Sequence, residues 1–301
     1  MNFRKRHTIK PTLLYFIAIM AIFFSACAKK RTPRDYTKPT IEDVPRANTT
    51  DISNNSDTTE VDRETAETGT PPDGIEIPTI KVRIPSQILK RLAYTLSYNK
   101  DTRCPNWVAW KLTAEHTDGP YDRHNYKFHD DPDVPVPRAN YHDYSYNRLG
   151  LERGHMCPAA DNKWSDKAMD ECHLLSNICP QYGPLNGGEW MYLENDCREW
   201  AKDYKCIYIV CGPIFYSKSP KTIGEDKISV PDAFFKVILR LGNNPQALGF
   251  IYPNKSCSDG KSKFVKSVDE VEKITGIDFF STLDDDIENK VERTSNLNLW
   301  N

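Results

Sequence analysis

The sequence predicts an α+β fold in which helices flank a central, mainly antiparallel sheet. Several segments are rich in β-branched and aromatic residues, two others carry helical patterns, and long polar loops separate them. About 225 residues remain from Ile75 onward, which is enough for one domain with a sizeable core. We therefore expect a single folded domain over residues 76–301.

Five segments have the composition of strands. They are Leu92–Tyr98, Asn106–Leu112, Cys206–Cys211, Ala233–Leu241 and Ala247–Tyr252. The third, C-I-Y-I-V-C, is apolar throughout and ends at Gly212 and Pro213, as a strand buried on both faces would. These segments predict a substantial sheet.

Two segments predict helices, and one long loop stands out. Apolar residues recur at helical spacing between Gly188 and Tyr204. A second helix should start at the capping-box sequence S-V-D-E from Ser267 and stop at Gly276. Its predicted apolar face comprises Val268, Val271 and Ile274. The polar stretch Thr117–Leu149 exceeds the usual length of a connection, so we expect it to carry function.

The N-terminus predicts export and a lipid anchor. Basic residues precede an apolar stretch at 13–24, which is shorter than the roughly 20 residues that a membrane-spanning helix needs. The stretch ends in F-S-A-C, which resembles the cleavage box of bacterial lipoproteins and would make Cys27 the lipidated first residue. An ordinary signal peptide cut near Ala26 is the alternative. We predict a signal peptide at 1–26 and attachment to the bacterial cell envelope, on its periplasmic or surface side.

Residues 27–75 predict a flexible tether. Thr, Asp, Asn, Glu and Pro are frequent there, and large apolar residues are few, so little surface can be buried to offset the ordering entropy. Without residues 1–26 the chain has 36 basic and 42 acidic residues, a net charge of −6. This charge argues weakly against a nucleic-acid partner, because phosphate binding normally leaves a basic surface.

Eight cysteines follow Cys27. An even number in an exported chain makes disulfides plausible, without indicating their connectivity. Cys172, His173 and Cys179 suggest zinc as an alternative, but the spacing lacks the paired clips of structural zinc sites. Disulfides or buried thiols are the favoured interpretation.

The sequence E-R-G-H at 152–155 is the first candidate for chemistry. Gly154 lets the chain bend or a substrate approach, and we expect it to present His155 at a rim. An imidazole titrates near neutrality and can take a proton from water. Arg153 offers a planar donor fork that suits phosphate oxygens. Taken alone, the tripeptide R-G-H is better explained as an ordinary loop, in which Arg153 and Glu152 pair with each other or with neighbours and His155 is a hydrogen-bonded loop residue.

A second polar cluster follows at 175–194. Asn186 stands where a helix would begin, so it is either an N-cap or an oxygen ligand to a hard cation such as Mg²⁺. Glu194 lies eight residues on, which in a regular helix is roughly 12 Å along the axis. Either Glu194 contacts the same cation through water, or it is a supporting or surface residue.

Further segments accompany R-G-H in a fixed order. They are R-x4-F-x2-D from Arg123, K-A-M-D at 167–170, L-S-N-I-C-P-Q at 175–181, L-N at 185–186, L-E at 193–194 and G-P at 212–213. The chain strongly resembles the sugar-non-specific DNA/RNA endonucleases of the ββα-metal (His-Me finger) type, which are endonuclease G-like. The resemblance spans roughly residues 94–280 and implies the ββα-metal nuclease fold.

The resemblance also implies roles for individual residues. His155 resembles the general base that activates water, and Asn186 the direct protein ligand to a single Mg²⁺, for which Mn²⁺ can substitute. Glu194 is similar to the glutamate that orients the metal's waters. Arg123 and Arg153 resemble arginines that hold phosphate oxygens. The expected function is Mg-dependent hydrolysis of phosphodiester bonds in DNA and RNA.

One position departs from the family, and other functions stay open. Glu152 stands where the family usually has aspartate, and Asn177 and Gln181 are expected to brace the loop that carries Asn186. The alternatives are a phosphodiesterase of the same fold with other substrates, and a catalytically silent nucleic-acid-binding surface lipoprotein. Expected partners are DNA, RNA and, through Cys27, a membrane; a homodimer is left open.

Overall fold

A computed structural model describes residues 73–145 and 149–300. The predicted signal peptide, Cys27 and nearly all of the predicted tether lie outside these residues. Their boundaries therefore stay predictions. Among the described helices, none has the length and apolar character that crossing a membrane requires.

Thirteen strands and five α-helices occur in the described residues. The strands are β1 (Thr79–Ile80), β2 (Gln87–Lys90), β3 (Thr95–Asn99), β4 (Cys104–Thr113), β5 (Leu151–His155), β6 (Ile178–Tyr182), β7 (Cys206–Ile214), β8 (Thr222–Ile223), β9 (Ile228–Ser229), β10 (Ala233–Arg240), β11 (Gln246–Pro253), β12 (Val265–Lys266) and β13 (Ile277–Asp278). The helices are α1 (Asp166–Cys172), α2 (Gly183–Leu185), α3 (Met191–Asp203), α4 (Val268–Thr275) and α5 (Asp285–Glu292).

Seven strands form one sheet in the order β12-β11-β10-β7-β4-β3-β2. Every neighbouring pair is antiparallel. Three small ladders, β1-β13, β5-β6 and β8-β9, lie outside it. The predicted α+β class with an antiparallel central sheet is confirmed.

The two faces of the sheet bury separate apolar clusters. Alternate residues of β10 divide between them, with Phe234 and Ile238 in one cluster and Phe235 and Val237 in the other, because successive side chains of a strand point to opposite faces. Helices α1 and α3 pack on the first face, which we call the site face, and helices α4 and α5 on the second, the rear face. The fold is thus a sheet between two helical layers.

The predicted strands agree with the sheet except at one end. The segment predicted from Leu92 begins only at Thr95, because Arg91 N–H donates to Tyr94 O at 2.8 Å and closes a turn between β2 and β3. Leu92 is half exposed at that turn. The short strand β2 was not predicted, since Gln87–Lys90 buries one residue only.

Both predicted helices are present, although one residue was assigned to the wrong face. Ser267 and Glu270 form the expected capping box, and Gly276 ends α4 in the left-handed conformation at φ 69°. Ile274 was wrongly placed on the buried face of α4, because its side chain is 45% exposed. The other helix, α3, runs from Met191 to Asp203, within the predicted interval between Gly188 and Tyr204, and Gly188 itself has non-helical φ/ψ of −119° and −118°.

The cysteines after Cys27 are all free thiols. Six of the eight are buried and two, Cys206 and Cys257, are partly buried. The interpretation as buried thiols is therefore correct, and disulfides are not formed.

Candidate active site

A two-stranded ladder positions the R-G-H sequence. In it β5 pairs with β6, and Gly154 lies opposite Cys179. A Cβ atom at Gly154 would stand 2.2 Å from Gln181 Oε1, so only glycine fits this strand position. The expected bend at Gly154 is wrong, because its role is to accept the close Gln181 side chain.

His155 ends β5 and is more buried than predicted. Its residue surface is only 8% exposed, so it does not stand on an open rim. The ring contacts those of Phe128 and His173, with centroids 5.0 and 5.2 Å away. Burial, followed by the positive charges of His173, Arg123 and Arg153, holds the pKa of His155 well below its ordinary value. The imidazole is therefore neutral at neutral pH and able to accept a proton.

Asn177 fixes the segment that follows His155. Its Nδ2 donates to Cys157 O at 2.9 Å and to Cys172 O at 2.8 Å, and its Oδ1 accepts from Cys157 N at 2.9 Å. Asn177 is therefore structural, as predicted. It braces the segment that follows His155, however, and not the loop that carries Asn186. Gln181 packs on Gly154 instead of bracing that loop.

Asn186 lies within a helical segment that precedes α3. It follows α2 with helical φ/ψ of −56° and −49°, so it is not the N-cap that its sequence position suggested. Its Nδ2 donates to Glu152 Oε2 at 2.8 Å. Because the amide nitrogen is held in this way, the amide oxygen is the atom left to bind a cation.

Glu194 faces one buried and one partly buried cation from the first turn of α3. Lys236 Nζ lies 4.0 Å from Glu194 Oε1, and Arg198 donates to Asp161 Oδ1 at 2.8 Å beside it. Burial raises the pKa of Glu194 to about 7, and Lys236 and Arg198 counteract this rise. The carboxylate therefore changes charge in the neutral range.

The two predicted arginines differ in exposure. Arg123 is exposed in a short 3₁₀-helix, Arg123–Asn125, within the long loop. Arg153 is partly buried, and its guanidinium carbon lies 4.9 Å from the ring centroid of Phe128 and 4.6 Å from that of Tyr141. Such cation–π contacts orient a guanidinium while leaving its donors available.

One cleft of about 570 Å³ brings the five predicted residues together. Its walls include Arg123, Arg153, His155, Asn186 and Glu194. The elements that contribute them are the long loop, β5, the irregular helical segment and α3. In such a cleft the two guanidinium groups can bind an anion and the imidazole can accept a proton. The amide and carboxylate oxygens can hold a hard cation.

The comparisons with known proteins identify the family. The family model described as DNA/RNA non-specific endonuclease matches residues 72–286. The chain belongs to this family. Human mitochondrial Nuclease EXOG is 36% identical over 207 residues, which are 64% of this chain and 56% of that protein. Nuclease C1 of Cunninghamella echinulata var. echinulata is 38% identical over 213 residues, covering 65% and 83%.

A solved structure supports the same assignment. A chain from the crystal structure of the EndoG/EndoGI complex matches with a TM-score of 0.62 and 29% identity, covering 68% of this chain and 90% of that one. Bovine mitochondrial endonuclease G is 31% identical over 208 residues, covering 64% of this chain and 69% of that protein. The chain thus has the fold of the non-specific endonucleases, while spanning 56% of the length of human Nuclease EXOG.

The donor set of this endonuclease family member fits a magnesium ion. Asn186 offers a neutral amide oxygen and Glu194 a carboxylate, and both line the same cleft. Mg²⁺ prefers hard oxygen ligands and keeps several of its waters, so few protein ligands are needed.

Sequence reasoning missed the charged residues behind Glu194. Lys236 is fully buried in β10, on the site face with Phe234 and Ile238, and its Nζ lies 4.4 Å from the Trp190 ring centroid. A lysine in the middle of the apolar strand A-F-F-K-V-I-L-R was the available signal. Arg198 follows Glu194 by four residues, a spacing that places both on one side of a helix.

Proposed function

We propose that the chain is a metal-dependent endonuclease that hydrolyses phosphodiester bonds in DNA and RNA with little sequence preference. The observation that carries this proposal is the cleft that gathers His155, Asn186, Glu194 and both arginines. Family membership supports the same reaction, since the relatives are named as nucleases. Arginines that bind backbone phosphates, rather than base edges, account for the low sequence preference.

His155 acts as the general base in this proposal. Its low pKa keeps the buried imidazole unprotonated, so it can take a proton from the attacking water. Arg153 is oriented by the rings of Phe128 and Tyr141, and Arg123 stands on the same cleft. Their guanidinium groups hold the phosphate oxygens on which negative charge grows.

Asn186 and Glu194 would hold magnesium, for which Mn²⁺ can substitute. Asn186 would bind the cation through its amide oxygen, while Glu152 fixes the amide nitrogen. Glu194 would accept hydrogen bonds from water in the cleft and orient it. A bound divalent cation supplies positive charge that stabilises the crowded phosphorus centre and the departing 3′ oxygen.

Cleavage assays test the proposal. The purified full-length protein, kept in mild detergent, is incubated with supercoiled plasmid and with RNA, in Mg²⁺ and in EDTA. We expect cleavage of both polymers in Mg²⁺ only, and a loss of about 10²–10⁴-fold in His155→Ala. Asn186→Ala should lose activity and require more Mg²⁺. The matched controls are His142→Ala and Asn289→Ala, both at exposed positions, which should retain activity.

Two outcomes would replace this function with an alternative. Binding of DNA without any cleavage would favour a silent binding protein, with which the acidic net charge agrees. Cleavage of small phosphodiesters but not of polymers would favour a phosphodiesterase of the same fold. Retention of plasmid cleavage in His155→Ala would remove the proposed mechanism.

We also propose that the chain is exported and anchored by a lipid on Cys27. The support is the basic start, the short apolar stretch and the F-S-A-C sequence. Growth with radiolabelled palmitate should label the wild-type protein and not Cys27→Ser, which should also leave the membrane fraction. Equal labelling of both proteins would contradict the anchor.

A further inference from the structure

Three metal-binding side chains meet directly behind the cleft. A nitrogen of His155, the sulfur of Cys172 and a nitrogen of His173 lie within 4.8 Å of one another, and all three residues are buried. Cys172 ends α1 and His173 is its C-terminal cap residue, while His155 ends β5. The helix and the strand therefore bring together ligands that are 17 and 18 positions apart.

The local contacts leave this group suited to a cation. Cys172 Sγ lies 3.4 Å from His173 Nδ1, and the rings of His155 and His173 are nearly perpendicular, with centroids 5.2 Å apart. His155 Nε2 is buried without a hydrogen-bond partner among the described residues. Cys172 Sγ and His173 Nδ1 both contact Met169 O, at 3.1 and 2.7 Å, so a cation bound by the thiolate would replace the hydrogen bond from Cys172, whereas His155 Nε2 has no such bond to lose.

The chemistry of these ligands differs from that of the magnesium site. Zinc accepts imidazole nitrogen and thiolate sulfur in tetrahedral geometry, whereas Mg²⁺ prefers oxygen. A site with three protein ligands keeps a fourth position for water or substrate. His155 and Met169 line the cleft, whereas Cys172 and His173 lie behind them, so a cation would enter from the cleft.

We propose that His155, Cys172 and His173 form an inhibitory site for zinc. On binding, the Cys172 thiol releases its proton to solvent, and the sulfur and one nitrogen of each imidazole become ligands. The His155 nitrogen is then committed to the metal and cannot take a proton from water. Zinc binding at this site does not depend on the proposed nuclease function. Its inhibitory effect rests on the proposed function of His155 as the base.

Cobalt titration tests the site without reference to activity. Co²⁺ substitutes for zinc, and its bond to a thiolate gives an intense near-ultraviolet absorption band. We expect one Co²⁺ per wild-type chain with this band, and its displacement by one equivalent of zinc. Cys172→Ser should lose the band, and His173→Phe, which keeps an aromatic ring beside Phe128, should bind zinc more than about 10-fold more weakly.

Cleavage assays in excess Mg²⁺ test the inhibition. Zinc should inhibit the wild-type protein, and a chelator that binds zinc in preference to magnesium should restore activity. Cys172→Ser and His173→Phe should resist zinc, while Cys257→Ser, the control for a partly exposed thiol, should respond as the wild type does.

Different results separate failure of this site from failure of the proposed function. A wild-type Co²⁺ complex without a thiolate band would overturn the site. Equal zinc inhibition of the wild type and Cys172→Ser would overturn the regulation and place the inhibitory zinc elsewhere. If the wild-type protein cleaves nothing, the nuclease proposal fails, and the cobalt band still decides whether the site exists.

Discussion

Two groups of carboxylates, one on each face of the sheet, differ in the cations around them. On the site face, Glu194 and Asp161 lie beside Lys236 and Arg198. On the rear face, Asp269, Glu272 and Glu292 converge to within 4.8 Å of one another without a comparable buried cation among the described residues. Asp269 is exposed and Glu272 partly buried, so the useful comparison is between Glu194 and Glu292, whose side chains are both largely shielded from solvent.

The pKa values follow this difference. Burial raises the pKa of Glu292 to about 9, and the charges of Glu272 and its acidic neighbours raise it further in the same direction. Burial also raises the pKa of Glu194, but only to about 7, because Lys236 and Arg198 favour the charged form. Lys236 thus keeps the Glu194 carboxyl within reach of ionisation near neutrality, whereas Glu292, with a pKa of about 9, is protonated there.

Removal of Lys236 should have the largest effect. In Lys236→Met, the site-face carboxylates lose the more deeply buried of their two cations, and we expect the free energy of unfolding to fall by about 3–5 kcal/mol. Urea unfolding at neutral pH measures the change. Lys202→Met, which removes an exposed pair with Glu199, should change it by less than about 1 kcal/mol. Similar values for the two variants would show that Lys236 does not compensate the site-face carboxylates.

Glu292→Gln should raise the stability of the protein, in contrast to Lys236→Met. The folded pKa of Glu292 exceeds that of an unfolded glutamate, so the folded state binds more protons between pH 4.5 and about 9. The contribution of Glu292 to stability is therefore fully present at low pH and is lost as pH rises through this window. We expect Glu292→Gln to raise the free energy of unfolding at pH 9 by about 2 kcal/mol, since it removes an unpaired buried charge. A stability that falls with pH as steeply in the variant as in the wild type would contradict this.

The cleavage rate should depend on Glu194 near neutrality. Because its pKa is about 7 and that of His155 is well below 6.5, Glu194 is the carboxyl in the cleft that gains a proton between pH 8 and 6; Glu272, whose pKa is also about 7, lies on the rear face. We expect the rate to fall with pH toward about tenfold per unit below pH 7. Initial rates at saturating Mg²⁺ measure the profile. The slower Glu194→Gln variant should be flat in this range, and an unchanged inflection would assign it to another group.

Loss of the α4 cap should have the smallest effect. Ser267 Oγ accepts from Glu270 N at 3.1 Å, and Glu270 Oε2 accepts from Ser267 N at 2.9 Å. We expect Ser267→Ala to lower the free energy of unfolding by about 1 kcal/mol at every pH, because a cap acts independently of the acidic group. Measurement at pH 5 and pH 9 distinguishes this constant loss from the pH-dependent effect at Glu292.

Local patterns in the sequence were sufficient for several features. The strand β7, the capping box of α4 and its Gly276 stop depend on neighbouring residues, and each was predicted at its place. The five cleft residues were found through ordered motifs, since a resemblance to a family transfers positions without any geometry. The predicted burial of Ile274 was wrong, because exposure depends on packing.

The sequence by itself determined the α+β class, the antiparallel sheet and the residues that line the cleft, because strand composition, helix caps and motif order are properties of short segments. Only the tertiary structure decided that His155 is buried, that Glu152 holds Asn186, that Lys236 stands behind Glu194 and that Cys172 and His173 meet His155. These relations join residues on different elements. Their physical basis is burial and charge proximity in three dimensions, which no short stretch of chain contains.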